Sequence, residues 1–256
     1  MASREFTMYV DDVSVESYNM KLVKYEVQSY AKRKTMGVNI PGAHGTQGVS
    51  SALASTDFLV WLICTGTDAD DVNAKVRNFF AFMNATHEPR KIVFSDDNLV
   101  ERYAVLDTPS RHRVINGIDG AFTELKLAFY MLDPFTYDGE TSVTVDELEH
   151  EKELSVYNEG FECPAIFCIE NTGNEKVTEI TFVVNDERVN FSCELNPGQV
   201  LVLDTIEYEV RLDSEPHLEF WSGEMPMLKN GDNIIVQRNA QKSKLLLSVN
   251  FTKKWA

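Results

Sequence analysis

Five histidines, four cysteines and forty carboxylates are the side chains of this 256-residue chain best suited to chemistry. His44, His87, His112, His150 and His217 are scattered, none at the spacing with which two imidazoles share a metal ion. Cys64, Cys163, Cys168 and Cys193 are accompanied by no paired histidine motif. Cys64 closes the apolar run Phe58-Leu59-Val60-Trp61-Leu62-Ile63-Cys64, and all four thiols read as reduced core groups. Nucleophilic or phosphate chemistry would need a Gly-x-Ser-x-Gly elbow, a glycine loop ending in Lys-Ser/Thr, or His-Glu-x-x-His, and none occurs. The glycine-rich stretch from Asn39 to Gly48 lacks the Lys-Ser/Thr pair, and no helix signal follows it. Paired carboxylates such as Asp96-Asp97 and Glu147-x-Glu149 could serve glycoside hydrolysis at the right separation. Among forty acidic residues such pairs also arise as plain solvation. Tyr208, Phe220 and Trp221 could form a sugar face, because flat rings stack on sugars; the other reading places them in a core. The sequence thus offers no catalytic residue, no metal ligand set and no cofactor site, and a non-enzyme is expected.

Charge narrows the partners. Residues 1–135 carry a net charge of −3 and residues 136–256 carry −13, out of −16 for the chain. Such a surface repels phosphate backbones, which argues against nucleic-acid binding. No run approaches the roughly 18 apolar residues of a membrane-spanning helix. The opening Met1-Ala2-Ser3-Arg4-Glu5-Phe6 lacks the apolar stretch of a secretory signal.

Periodicity gives the elements that must position any surface. Lys21–Val27, Glu101–Leu106 and Glu124–Phe129 alternate as strands. Between them a helix is expected over about 68–84. Thr67 or Asp68 can cap it, Asp70 and Asp71 suit its positive end, and Val72, Val76, Phe79, Phe80 and Met83 form one stripe. Pro89 lies beyond its end. A single amphipathic helix among strands buries its stripe on a sheet. The stretch from Tyr30 to Ser55, with Lys32-Arg33-Lys34, four glycines and one proline, has too little apolar bulk to bury itself. It reads either as an arm that packs on a neighbouring subunit or as a surface loop.

A boundary is expected near Asp133-Pro134-Phe135, with a linker over 136–154 whose charged stretch Asp146–Glu153 reads as a solvated linker or a short edge element. Beyond it, strand-like runs recur at 165–169, 179–184, 188–193, 200–203, 208–212, 234–237 and 245–251. Turn signals separate them, among them Asn185-Asp186 as a two-residue hairpin turn. This pattern predicts a β-sandwich or jelly roll.

Taken in order, several segments resemble the siphophage distal tail protein family over nearly the whole chain. They are Phe6-Thr7-Met8-Tyr9-Val10-Asp11, Asn39-Ile40-Pro41-Gly42-Ala43-His44-Gly45, and Phe129-Tyr130-Met131-Leu132-Asp133-Pro134-Phe135. The second half continues with Asn158-Glu159-Gly160 through Pro164, Leu195-Asn196-Pro197-Gly198 leading to Asp204, Leu228-Lys229-Asn230-Gly231-Asp232-Asn233, and the closing Lys253-Lys254-Trp255. The family pattern commonly has an acidic residue where His44 stands, and the second half lacks the insertions that carry sugar-binding modules in some relatives.

The resemblance implies a mainly β protein. Residues 1–135 would be a ring-forming, tail-tube-like domain, a β-sandwich or split barrel with one packed helix and an arm over about 30–55. Residues 155–256 would be a galectin-like β-sandwich. It further implies a hexameric ring at the virion's tail tip, through which DNA only passes. The partners would be further copies of itself, the tail tube protein, the tail-associated hub or fibre protein, the tape-measure protein and a receptor-binding protein. Lys32, Arg33, Lys34, Pro41, Gly42, His44 and Gly45 are the expected subunit-contact residues. The alternative is a carbohydrate-binding protein recognising cell-wall sugars through its second half, with a hydrolase as a third reading.

Overall fold

The computed structural model describes residues 6–28, 31–38, 47–97, 100–108, 112–139, 141–148, 151–238 and 244–256. The chain is mainly β and divides into two compact units, Met1–Gly139 with Ala256, and Glu140–Trp255.

The first unit contains β1 (Met8–Val10), β2 (Met20–Glu26), β3 (Arg33–Val38), β4 (Gln47–Leu53), β5 (Thr56–Gly66), α1 (Ala69–Met83), β6 (Arg90–Phe94), β7 (Glu101–Thr108) and β8 (Gly120–Met131). Six of these strands pair antiparallel in the order β1-β6-β7-β8-β5-β2. The two-residue period sets the inner face. Phe58, Val60, Leu62 and Cys64 of β5 stand across from Phe129, Leu127, Leu125 and Thr123 of β8, and all eight are buried. Helix α1 starts where Asp68, in extended conformation, accepts a 2.9 Å hydrogen bond from the Asp71 amide. It buries Val72, Val76, Phe79 and Met83 in the same core, while Phe80 is only partly covered.

The sheet does not stay flat. Register shifts at Leu22/Lys24 and at Ala128/Phe129 add local twist. Strands β2 and β6, separated by three strands in the ladder, meet through their side chains. The rings of Tyr25 and Phe94 stack with centroids 3.8 Å apart and planes 6° from parallel. Phe58 meets Phe94 edge-on at 6.1 Å and stacks on Phe129 at 5.1 Å. The Tyr25 hydroxyl donates to Asp96. Burial, and then that bond, push its pKa up to about 12. A stack of rings thus closes the roll where no backbone ladder does.

Strands β3 and β4 pair with each other and, among the described residues, with no other strand. Within the segment read as an arm, the described residues thus form a two-stranded antiparallel pair, a ribbon.

The second unit contains β9 (Ser142–Leu148), β10 (Glu153–Asn158), β11 (Ile166–Asn171), β12 (Ile180–Val184), β13 (Glu187–Phe191), β14 (Val200–Asp204), β15 (Glu209–Leu212), β16 (Trp221–Gly223), β17 (Gly231–Gln237) and β18 (Leu245–Phe251). One sheet runs β9-β18-β11-β14-β15, continued by Glu215–Pro216; the other runs β10-β17-β12-β13-β16. Phe167, Phe182, Phe191 and Phe251 fill the core. Asn185 and Asp186 both adopt left-handed backbone, with φ of 49° and 74°, and close the β12–β13 hairpin.

Where the sequence suggested a linker over 136–154, Ser142–Leu148 is an edge strand paired along its length with β18. Its alternating Val143 and Val145 point outward, so no inward apolar period marked it as a strand.

The recurring Asn-x-Gly steps have a common structural basis. Asn158 and Asn171 are buried, and each accepts at 3.0 Å from the glycine amide two residues on, Gly160 and Gly173. Their amide nitrogens donate to Phe161 and Leu228 carbonyls, and to Glu175 and Leu195 carbonyls. Each side chain stands in for a missing stretch of ladder where the chain leaves a strand.

Candidate assembly surfaces

The described residues contain no group of three or more His, Cys, Asp or Glu placed to hold a metal ion. None of their helices is long and apolar enough to cross a membrane. The four cysteines are free thiols; Cys64, Cys163 and Cys193 are buried, and Cys168 is half-buried. Burial raises the pKa of all four, to about 11 for Cys163 and Cys193. A thiolate-selective reagent should label the native protein slowly at pH 8 and reach all four thiols only in denaturant. Fast labelling of two or more thiols in the native state would contradict this burial.

What the structure offers instead is surface. On the ribbon, Lys32, Arg33 and Lys34 are exposed, forming the longest run of consecutive cations in an acidic chain. The Lys32 carbonyl accepts from the Ala54 amide at 2.7 Å, which fixes where the ribbon leaves the unit. Pro41, Gly42, His44 and Gly45 lie outside the described residues.

A second surface is the outward face of β5. Antiparallel sheets usually alternate apolar inside and polar outside. Here Leu59, Trp61 and Ile63 take three successive outward positions and are half-buried. Lys24 on β2 and Lys126 on β8 flank Trp61, their ammonium groups 4.0 and 5.1 Å from its ring centroid. Neighbouring Phe122 and Val23 are exposed. Nothing in the sequence reading isolated this stripe, because the whole run from Phe58 to Cys64 is apolar and only the fold sorts its two faces.

In the second unit, Phe220 and Trp221 pack against the core at the end of the five-stranded sheet. Tyr208 stands 67% exposed in the turn between β14 and β15, with φ of 58°. Phe220 stacks on His217 at 4.5 Å, and that imidazole pairs with Glu219.

Comparison with known proteins addresses the whole arrangement. Residues 12–130 match the phage tail protein RIFT-related domain. No curated protein sequence matches the chain. Among solved structures, the fold is similar to SPP1 Dit (gp 19.1), described as a paradigm of hub adsorption apparatus in phages infecting Gram-positive hosts. The TM-score is 0.78 at 15% identity, over 98% of this chain and 99% of that one. A chain of the phage P2 baseplate in its calcium-activated conformation gives 0.51 at 9% identity, over 95% and 97%.

Proposed function

We propose that this chain is the distal tail protein of a long, non-contractile phage tail, because residues 12–130 match a phage tail protein domain and the fold is similar to that of a distal tail protein over nearly the whole chain. The observation that carries the reading is the likeness over both units at once, since a shared tail domain alone would fit many tail components. In this role the protein forms a ring, hexameric by family resemblance, at the tail tip. The ring joins the tail tube to the tail-associated hub or fibre protein, receives the tape-measure protein, and leaves a channel through which DNA passes. A receptor-binding protein attaches beyond it.

A ring requires each subunit to present two different, complementary surfaces. The cationic ribbon and the outward face of β5 are two such surfaces within the first unit. The ribbon reaches an acidic neighbour, and the Trp61 stripe is covered in the assembly. The near-neutral balance of residues 1–135 suits a channel that must release DNA rather than hold it.

Light scattering across protein concentration and salt, followed by electron microscopy, tests the ring. A species of about six chains with a central hole supports it. A chain that stays monomeric alone and also alongside its tube and hub proteins refutes it. Deletion of residues 31–50 should leave a folded protein of nearly unchanged stability, because among the described residues the ribbon's strands pair only with each other. The same deletion should abolish the ring, and rings that survive it would remove the ribbon from the interface.

A further inference from the structure

The two solvent faces of the second unit differ. On the six-stranded sheet, the outward row Val145, Ser248, Cys168 and Val202 is aliphatic, hydroxyl and thiol. On the five-stranded sheet lies an open groove of about 580 Å³ whose lining combines apolar floor and polar rim. Val183 of β12 and Ile234 and Val236 of β17 form the floor at outward positions. The rim sets three carboxylates, Glu153, Asp186 and Asp232, against two cations, Lys229 and Arg238, with Asn185 and Asn230 beside them.

Two of these polar groups are held in place by the fold. The Asn185 side chain donates to Asn233 Oδ1 at 2.5 Å and accepts from the Ile234 amide at 3.0 Å. One oxygen of Asp232 accepts from Ser155 Oγ at 3.1 Å. Its other oxygen, and both oxygens of Asp186, have no hydrogen-bond partner among the described residues. Directly across from Asp232 in the β10–β17 ladder stands Tyr157, 58% exposed although it sits within a strand. Directly opposed residues lie about 5 Å apart at Cβ, which places Tyr157 beside Asp232, a lining residue of the groove.

We propose that this groove binds a neutral saccharide, with Tyr157 as the stacking platform and Asp232 and Asp186 as hydroxyl acceptors. The chemistry of each part fits that ligand. A ring face and an aliphatic floor suit the C–H faces of a sugar. Ionised carboxylates accept from hydroxyls, and Lys229 donates to them. An anionic glycan is disfavoured, because three lining carboxylates outnumber the two cations and residues 136–256 carry a net charge of −13. The site does not depend on the ring reading; it would work on a monomer as on an assembly.

The test uses the full chain on an array of neutral bacterial oligosaccharides with their phosphorylated and uronic-acid counterparts, followed by calorimetric titration of the best neutral ligand. Tyr157→Ala and Asp232→Asn should each weaken binding at least tenfold, while Tyr157→Phe, which keeps the ring, should bind as the parent does. Tyr208→Ala, altered on the β14–β15 turn, should also bind as the parent does. Thermal unfolding of every variant separates loss of the site from loss of the fold. Four results overturn the proposal: no neutral ligand, binding of anionic glycans alone, binding that survives both Tyr157→Ala and Asp232→Asn, or loss with Tyr208→Ala alone. Ring formation is scored separately, so failure here leaves the tail-tip reading untouched.

Discussion

Replacing Asn233 by Ala is expected to destabilise the second unit by more than about 3 kcal/mol, which is a large share of a typical domain's stability. Asn233 is fully buried at the start of β17. Its amide nitrogen donates to the carbonyls of Val156, Lys229 and Gly231 at 2.9–3.1 Å. Its oxygen accepts from the Lys229 amide at 2.7 Å and from Asn185. Alanine strands several of these groups away from water at once, and each unsatisfied buried group costs about 1–3 kcal/mol. Hydrogen exchange should show β10, β12 and β17 losing protection, while β5 and β8 of the first unit keep theirs. A loss below about 1 kcal/mol would mean that water or a shifted backbone satisfies these groups.

The second large effect is expected from Phe94→Ala. Phe94 is fully buried and joins both ends of the rolled sheet: its backbone pairs with Met8 of β1, and its ring stacks on Tyr25 of β2 and meets Phe58 of β5 edge-on. Removing a buried phenyl ring costs about 3–5 kcal/mol, from lost transfer energy and the cavity left behind. The variant carries its own internal reporter. Tyr25 owes its pKa of about 12 first to burial and second to its bond to Asp96. Opening the roll restores water to the hydroxyl, so its titration, followed by ultraviolet absorbance, should move down toward the ordinary tyrosine value near 10. The sign follows from linkage. A phenol whose pKa is raised by folding contributes stability fully below the unfolded value of about 10, and that contribution fades as pH climbs through about 12. The parent should therefore lose more stability across that window than Tyr25→Phe does, and equal losses would show that Tyr25 does not close the roll.

Much of this architecture was legible in the residues. The helix showed itself because Asp68, Asp70 and Asp71 precede a stripe at 3.6-residue spacing, and that stripe is buried at Val72, Val76, Phe79 and Met83. The turn at Asn185-Asp186 was readable because two consecutive left-handed residues are what a tight hairpin demands. Three features escaped. The edge strand Ser142–Leu148 was legible only as one of two readings of its charged end, and its full length escaped because it turns its valines outward. The pairing of β3 with β4 is a backbone register between two short glycine-bearing segments, which local spacing does not announce. The groove beside Tyr157 is made by residues up to 85 positions apart, Glu153 and Arg238, whose meeting depends on sheet order. Local patterns write themselves into a sequence; juxtapositions across a sheet do not.

The ring-closed roll also determines where the first unit breathes. Among the described residues, β2 is paired in a ladder only with β5, on one side of its backbone. Stacked rings tolerate sliding that a hydrogen-bonded ladder forbids. The cheapest excursion is therefore a hinge of β2 away from Phe94, while the β5–β8 pair, eleven residue pairs long, stays shut. The edge of the sheet at β2 therefore rests on ring contacts on one side and a single ladder on the other, which makes it the place where the first unit yields first.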